Sequence, residues 1–76
     1  MNNERRKRLS AIVKMVDDIR VALNLIQNEE QDAYDNLPEP LQCSDRGIDI
    51  EMAVEALNKA DESLCETKKH LYDASM

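Results

Sequence analysis

Apolar residues recur along the first half of the chain at alternating spacings of three and four, the repeat of a coiled-coil seam. The residues of this seam are Leu9, Ile12, Val16, Ile19, Leu23 and Ile26. Its continuation through Glu30, Ala33 and Leu37 is less apolar. Because Pro38 cannot continue a helix and disfavours helical backbone at the residue before it, the pattern predicts helix 1 over about residues 3–36.

The second half of the chain has the same spacing and predicts helix 2 over about residues 49–74. Its seam consists of Ile50, Ala53, Leu57, Ala60, Leu64, Thr67, Leu71 and Ala74. Ser44, Asp45 and Asp49 are all suitable N-caps, so the start of this helix stays open. Large residues on helix 1 and alanines on helix 2 favour close packing. We therefore expect an antiparallel two-helix hairpin with a loop over about residues 37–48.

Both helices also carry apolar residues outside these seams. A stripe wider than a two-helix seam indicates a bundle of more than two helices. We therefore expect a homodimer that forms a four-helix bundle, and the alternative is a monomer with scattered apolar surface residues. The expected oligomer interface consists of Val13, Met15, Val21, Leu25, Met52 and Val54.

Composition supports an all-α fold in one domain spanning residues 1–76. The chain has two tyrosines, no Phe and no Trp, and its one glycine and two prolines are too few for a multistranded sheet. A chain of 76 residues buries only about 60% of the surface that its unfolded form exposes. A monomer would be marginally stable, which favours self-association.

Charge is unevenly distributed along the chain, whose net charge is −6. Residues 1–20 hold six Lys or Arg and three acids, whereas residues 21–76 hold four Lys or Arg and thirteen acids. Nine acids lie between Glu29 and Glu55, with Arg46 as the only basic residue among them. The hairpin should thus have an acidic loop end and a basic open end, and an antiparallel dimer would bring unlike ends together.

The basic patch of Arg5, Arg6, Lys7 and Arg8 admits two interpretations. It is a charged helix start in contact with water, or it binds phosphates or an acidic protein surface. No aromatic residue lies beside it to stack on bases, and the rest of the chain repels polyanions. We therefore do not expect nucleic acid to be a partner.

The sequence offers no recognisable catalytic site, and we expect neither enzymatic activity nor a cofactor. Glu66 and His70 lie one helical turn apart, but structural zinc requires four ligands, so no metal site is expected. Cys43 and Cys65 are expected to be buried or half-buried thiols rather than a redox pair. No stretch is apolar enough for a membrane span, and with only two cysteines we expect a cytoplasmic protein in a reducing cytosol.

The loop region resembles a pattern in small uncharacterised helical proteins of bacteriophages and bacterial mobile elements. The segments that resemble it are residues 29–39, Leu41-Gln42 and Ser44-Asp45-Arg46-Gly47, and the chain's opening residues 4–9 are similar as well. Pro40 and Cys43 depart from the pattern, which puts the choice of partner in doubt. The resemblance implies a context in the bacterial host cytosol, where small phage proteins act by occupying a host protein's surface, for example that of a defence protein.

Three functional hypotheses follow from these observations. The first is a non-enzymatic interaction module whose loop end, centred on Tyr34, Asp35, Leu37 and Glu39, binds and inhibits a host protein. The second is a structural protein that forms only homo-oligomers. The third is an acidic mimic of nucleic acid that occupies the groove of a nucleic-acid-binding protein.

Overall fold

The computed structural model describes all 76 residues and contains only helices. They are α1 (Asn3–Asp35), α2 (Glu39–Gln42) and α3 (Asp45–Ala74). The molecule measures 58 × 15 × 11 Å. The all-α prediction is therefore confirmed, and the two long helices give the molecule its rod shape.

Helix α1 begins and ends with recognisable caps. The side-chain oxygen of Asn2 accepts a hydrogen bond of 2.9 Å from the backbone N–H of Arg5, which satisfies one of the free donors of the first turn. At the other end, the backbone N–H of Asn36 donates to the carbonyl of Asp32 at 2.9 Å, and that of Leu37 donates to the carbonyl of Tyr34 at 3.0 Å. The helix ends at Asp35, one residue before the predicted end.

The predicted loop over residues 37–48 is shorter than expected and partly helical. It contains the single turn α2, and α3 begins at Asp45 rather than near residue 49. Pro38 is the N-cap residue of α2, and Pro40 lies in the first turn of that helix. Proline is tolerated there because backbone N–H groups of the first turn form no hydrogen bond within the helix. Ser44 occupies the N-cap position of α3, but its hydroxyl donates to the carbonyl of Leu41 instead of capping the helix.

Gly47, the only glycine of the chain, lies where α2 packs against α3. It is buried, and its backbone is helical. A Cβ atom at this position would lie 2.1 Å from the carbonyl oxygen of Gln42 and 2.7 Å from that of Leu41. Glycine is thus required by the close approach of two backbones rather than by an unusual dihedral angle.

Helices α1 and α3 lie side by side and run in opposite directions. The guanidinium Nε of Arg6, near the start of α1, donates to the carbonyl of Ser75 at 2.9 Å. Further along, Arg20 pairs with Asp61. The chain termini therefore meet at one end of the molecule, and α2 closes the other end.

The contact between α1 and α3 uses a seam that differs by one residue from the predicted one at every second position. The leucines and Val16 predicted to face the partner helix are buried or half-buried: Leu9, Val16, Leu23, Leu57, Leu64 and Leu71. The alternate positions are instead Val13, Arg20, Gln27, Val54, Asp61 and Lys68. The predicted alternate residues Ile12, Ile19 and Ile26 are 42%, 53% and 49% exposed.

This shift corrects several sequence-based assignments. Val13 is buried and Val54 is half-buried between α1 and α3, so neither is free to serve an oligomer interface. Ala60 and Ala74 are exposed, which removes the expected packing of large residues on alanine across the seam. The physical reason is that the polar seam residues have hydrogen-bonding or charged partners on the opposite helix, as Arg20 has in Asp61. An apolar pattern cannot identify such pairs.

Other expected surface residues lie outside the seam. Met15, Val21, Leu25 and Met52 are all exposed, between 61% and 71%. Cys43 and Cys65 are free and exposed, contrary to the expectation of buried or half-buried thiols. Only Val13, Val16 and Gly47 are buried in the entire chain, so the single molecule has almost no core.

Candidate partner-binding surfaces

The acidic loop end, defined as residues 29–55, is formed where α3 packs against α1 and α2. Its nine acids are exposed except for Glu30, which is half-buried. No ion pair joins any of them to Arg46, and the single salt bridge in this region links Glu55 to Lys59 on the next turn. The acids therefore leave a concentrated negative surface around the loop.

The residues predicted to centre the binding site divide into two groups. Asp35 and Glu39 are exposed, whereas Tyr34 and Leu37 are half-buried. Exposed carboxylates are free to meet a basic partner, but a half-buried side chain already contributes to internal packing. Substituting Tyr34 or Leu37 would thus affect the fold of the loop end as well as any partner contact.

Tyr34 interacts with Glu51 in a shallow groove between α1 and α3. The Glu51 carboxylate beside the Tyr34 hydroxyl raises the pKa of that hydroxyl, and desolvation raises it further. The groove is also lined by Gln31, Val54 and Asn58. Tyr34 therefore connects the last turn of α1 to the second turn of α3.

Gln42 has a structural role that the sequence analysis did not assign. Its side-chain amide donates to the carbonyl of Tyr34 at 3.3 Å and to that of Leu37 at 3.2 Å. Both carbonyls lie at the end of α1, where helical partners are missing. Gln42 caps the end of α1, and Gly47 leaves room for the backbone of α2. These two roles explain physically part of the loop pattern.

Two apolar residues of the acidic loop end were not anticipated as candidates. Leu41 is 47% exposed and Ile48 is 46% exposed, and they lie on the two helices that meet at Gly47. The sequence could have identified them, because both are apolar and neither belongs to the predicted seams. Exposed apolar residues surrounded by charge are typical anchors of a protein interface.

The basic end lies at the opposite end of the molecule, where all four residues of the basic patch are exposed. Arg6 is engaged by the Ser75 carbonyl, while Arg5, Lys7 and Arg8 form no salt bridge. Lys68 and Lys69 of α3 add to the positive charge near this end. Its position is suited to an acidic partner surface.

The helix pair has two faces of different character, set by the residues next to the seam. In an antiparallel pair, residues that follow seam positions point to one side and residues that precede them point to the other. Asp17 and Asn58 follow seam positions, and each bonds to the opposite helix. Asp17 pairs with Lys68, and Asn58 accepts from Gln27. This side is called the polar face.

The polar face also includes the strongest pair between the helices. Arg20 forms two bonds to the Asp61 carboxylate, at 2.9 and 3.3 Å. The bond to Arg20 lowers the pKa of Asp61 below its ordinary value, and the bond to Asp17 raises the pKa of Lys68. All three side-chain to side-chain interactions that join α1 to α3 involve this face.

The opposite side is called the apolar face. On α1 it carries the apolar stripe, defined as Ile12, Met15, Ile19, Ala22 and Ile26. On α3 it carries the small-residue stripe, defined as Ala53, Ala56, Ala60, Ser63 and Thr67. Every member of both stripes is exposed except Ala53, which is half-buried. No interhelical ion pair or side-chain hydrogen bond lies on this face.

No group of three or more His, Cys, Asp or Glu side chains is positioned to hold a metal ion. The predicted pair of Glu66 and His70 accordingly has no third ligand of this kind beside it. No helix has both the length and the apolar character that crossing a membrane requires.

Comparisons of the chain with protein-family models, with curated proteins and with solved structures find no match in any of the three. The resemblance to small proteins of bacteriophages and mobile elements therefore stays a prediction.

Proposed function

We propose that this chain is a non-enzymatic interaction module whose acidic loop end binds a basic surface of another protein. The observation that carries the proposal is the pair of exposed apolar residues Leu41 and Ile48 in the segment that holds the exposed acids. The resemblance adds the proposed context of a phage or mobile element, in which the partner is a host protein in the bacterial cytosol and binding inhibits it.

The physical argument combines the two components of a typical interface. Burial of an apolar side chain contributes about 25 cal/mol per Å² of surface removed from water, so exposed Leu41 and Ile48 are natural anchors. The surrounding carboxylates would select a basic partner and accelerate encounter rather than supply most of the affinity. An ordered end also costs less entropy on binding than a flexible loop does.

We also propose that the working unit is a helical hairpin that dimerises into a four-helix bundle. The single chain buries only three residues, while twelve large apolar residues are exposed. Burying part of this surface against a second copy would provide the core that a chain of this size lacks.

The function is tested by capture of a partner from a bacterial lysate with variants of exposed residues. Leu41→Ala and Glu39→Lys should each reduce recovery of a stoichiometric partner by about tenfold or more. The matched controls are Val21→Ala and Glu62→Lys, which alter exposed residues of the same kind away from the loop end. Equal loss in variant and control would contradict the assignment to the loop end.

Tyr34→Ala and Leu37→Ala belong in the same experiment, but each requires a circular dichroism spectrum because both side chains are half-buried. Reduced capture by a variant that keeps full helicity would assign that residue to the contact. Unchanged capture by both would remove them from the proposed site.

The two alternative functions predict different results. A purely structural oligomer predicts large assemblies in sedimentation and no captured partner. A nucleic-acid mimic predicts capture of nucleases or DNA-binding proteins that weakens sharply with salt, because exposed charges more than about 10 Å apart are screened at 0.1 M ionic strength.

A further inference from the structure

The apolar stripe of α1 continues into charged residues of opposite sign at its two ends. Continuing the same spacing leads to Arg8 and Arg5 before Ile12, and to Glu29 and Ala33 after Ile26. Helical geometry thus puts basic residues, apolar residues and acidic residues in sequence along one side of one helix. A surface that presents this order is complementary to a reversed copy of itself.

The stripe is also nearly symmetric about Ile19. Ile12 and Ile26 each lie seven residues from it, and Arg8 and Glu29 lie eleven and ten residues from it. Met15, before the centre, corresponds to the smaller Ala22 after it. Reversal about Ile19 therefore brings isoleucine to isoleucine, methionine beside alanine, and arginine to glutamate.

We infer that the apolar stripe is the contact surface for a second copy of this chain, with α1 packed antiparallel on α1 of the partner and the two-fold axis at Ile19. This inference rests on the dimer proposed above and names its surface and orientation. Each copy contributes the same residues, so the interface is isologous.

Charges within the single chain support this orientation over the alternatives. Helix α1 has Arg5 and Arg6 near its N-terminus and no basic residue in its last turn, which is the reverse of what the helix dipole favours. Packing against α3 compensates only in part, because Arg6 donates to the Ser75 carbonyl but Lys68 and Lys69 lie near the basic end and Asp45 lies near the acidic end. An antiparallel α1 of a second copy supplies the missing opposite charges.

A different two-fold arrangement would place α1 of one copy over α3 of the other. It would pair the apolar stripe with the small-residue stripe, but it would bring basic ends beside basic ends and acidic ends beside acidic ends. Like charges in contact are unfavourable at an interface. The charge pattern therefore selects α1 against α1.

The small-residue stripe is compatible with the selected arrangement. Arg20 bonds to Asp61, so Ile19 lies at about the level of Ser63 along the rod. The same two-fold axis would then bring the two α3 helices together around Ser63. Alanine, serine and threonine at this surface allow the backbones to approach closely.

The test is disulfide trapping in a background in which both exposed native thiols are replaced, Cys43→Ser and Cys65→Ser. Ile19→Cys should form a linked dimer efficiently under mild oxidation, because two-fold symmetry places the two sulfurs together. Val21→Cys is the matched control, since Val21 is 71% exposed but lies off the stripe. It should remain at least about tenfold less linked.

A mixing experiment defines the direction of the helices. Ile12→Cys and Ile26→Cys should each give little linked product alone and abundant mixed dimer when combined. Linkage of Ile12→Cys to itself would overturn the antiparallel orientation. Absence of linkage at Ile19, in a protein that sedimentation shows to be a dimer, would overturn the inference and leave the dimer itself standing. A single-chain mass at micromolar concentration would overturn both.

Charge reversal provides an independent readout that does not depend on engineered thiols. Arg8→Glu or Glu29→Arg alone should raise the dimer dissociation constant by about tenfold at low salt, and the double variant should recover most of the loss. Failure of the double variant to recover would show that the two residues do not meet across the interface.

Discussion

The polar and apolar faces occupy the same two helices, yet only the polar face is satisfied within one chain. On the polar face, Arg20, Gln27 and Lys68 each bond to a side chain of the opposite helix. On the apolar face, Ile12 and Ile19 remain about half exposed. The comparison teaches that one side of the molecule specifies how the chain folds, while the other is available for association.

The largest expected difference separates two neighbouring positions of α1, Val16 in the seam and Ile19 on the apolar face. Val16→Asp would bury an unpaired carboxylate and should cost about 3 kcal/mol or more, enough to unfold a chain with so small a core. Ile19→Asp should keep the helices and abolish dimerisation. Circular dichroism and sedimentation at the same concentration measure the two effects. Loss of helix in both variants would show that folding and association are not separable.

The next largest effect is a loss of stability in Gly47→Ala. It serves as a reference, because it should affect the polar face and the apolar face equally. Gly47→Ala puts a methyl group against the carbonyls of Gln42 and Leu41 and should reduce the free energy of unfolding by about 1–3 kcal/mol. Chemical denaturation checks this value, with Ala11→Ser, at an exposed position outside the seam and both stripes, as a control of small volume change. Unchanged stability would mean that α2 shifts without cost.

A smaller effect is the pH dependence of stability in acid. It should be found for variants of the polar face and not for variants of the apolar face. The pKa of Asp61 is lowered below its ordinary value of 3.8 by its bond to Arg20. Its stabilising contribution is present above that ordinary value and is lost as the pH falls through the lowered pKa. The stability difference between the wild type and Asp61→Asn should therefore shrink in this acidic range. Ile19→Ala, on the apolar face, should show a difference that does not depend on pH there.

The smallest effect concerns Tyr34, at the acidic end of the polar face. Its raised pKa means that its stabilising contribution is present below the ordinary value of 10.0 and is lost as the pH rises through the folded value. In Tyr72→Phe, which leaves Tyr34 as the only tyrosine, absorbance should report ionisation above pH 10.0. Adding Glu51→Gln should return the transition toward the ordinary value. No change on removing Glu51 would contradict the assigned cause.

The helical class of the fold could be predicted from sequence because apolar spacing and the lack of turn residues both indicate it. The seam could be predicted only at every second position. Ile12, Ile19 and Ile26 have the same spacing as Val13, Arg20 and Gln27, and an apolar criterion favours the isoleucines. The structure uses the less apolar set because Arg20 and Gln27 have partners on α3, which cannot be recognised until the two helices are aligned.

The loop end shows a similar limit of sequence reasoning. Pro38 was interpreted as ending helix 1, and α1 does end before it, but Pro38 also occupies the N-cap position of α2 and Pro40 lies in the first turn of that helix. The acidic character of this end could be predicted from composition. The capping role of Gln42 could not, because it depends on where the chain turns after Leu37.

The position of Ile19 within α1 determines how far assembly can proceed. It is the middle residue of a helix that runs from Asn3 to Asp35. Two copies related by a two-fold axis at this residue overlap along the full length of α1, with their ends flush. Both apolar stripes are then covered, and no unpaired part extends beyond the overlap to recruit a third copy. The proposed association is therefore closed and ends at two chains instead of growing into a filament.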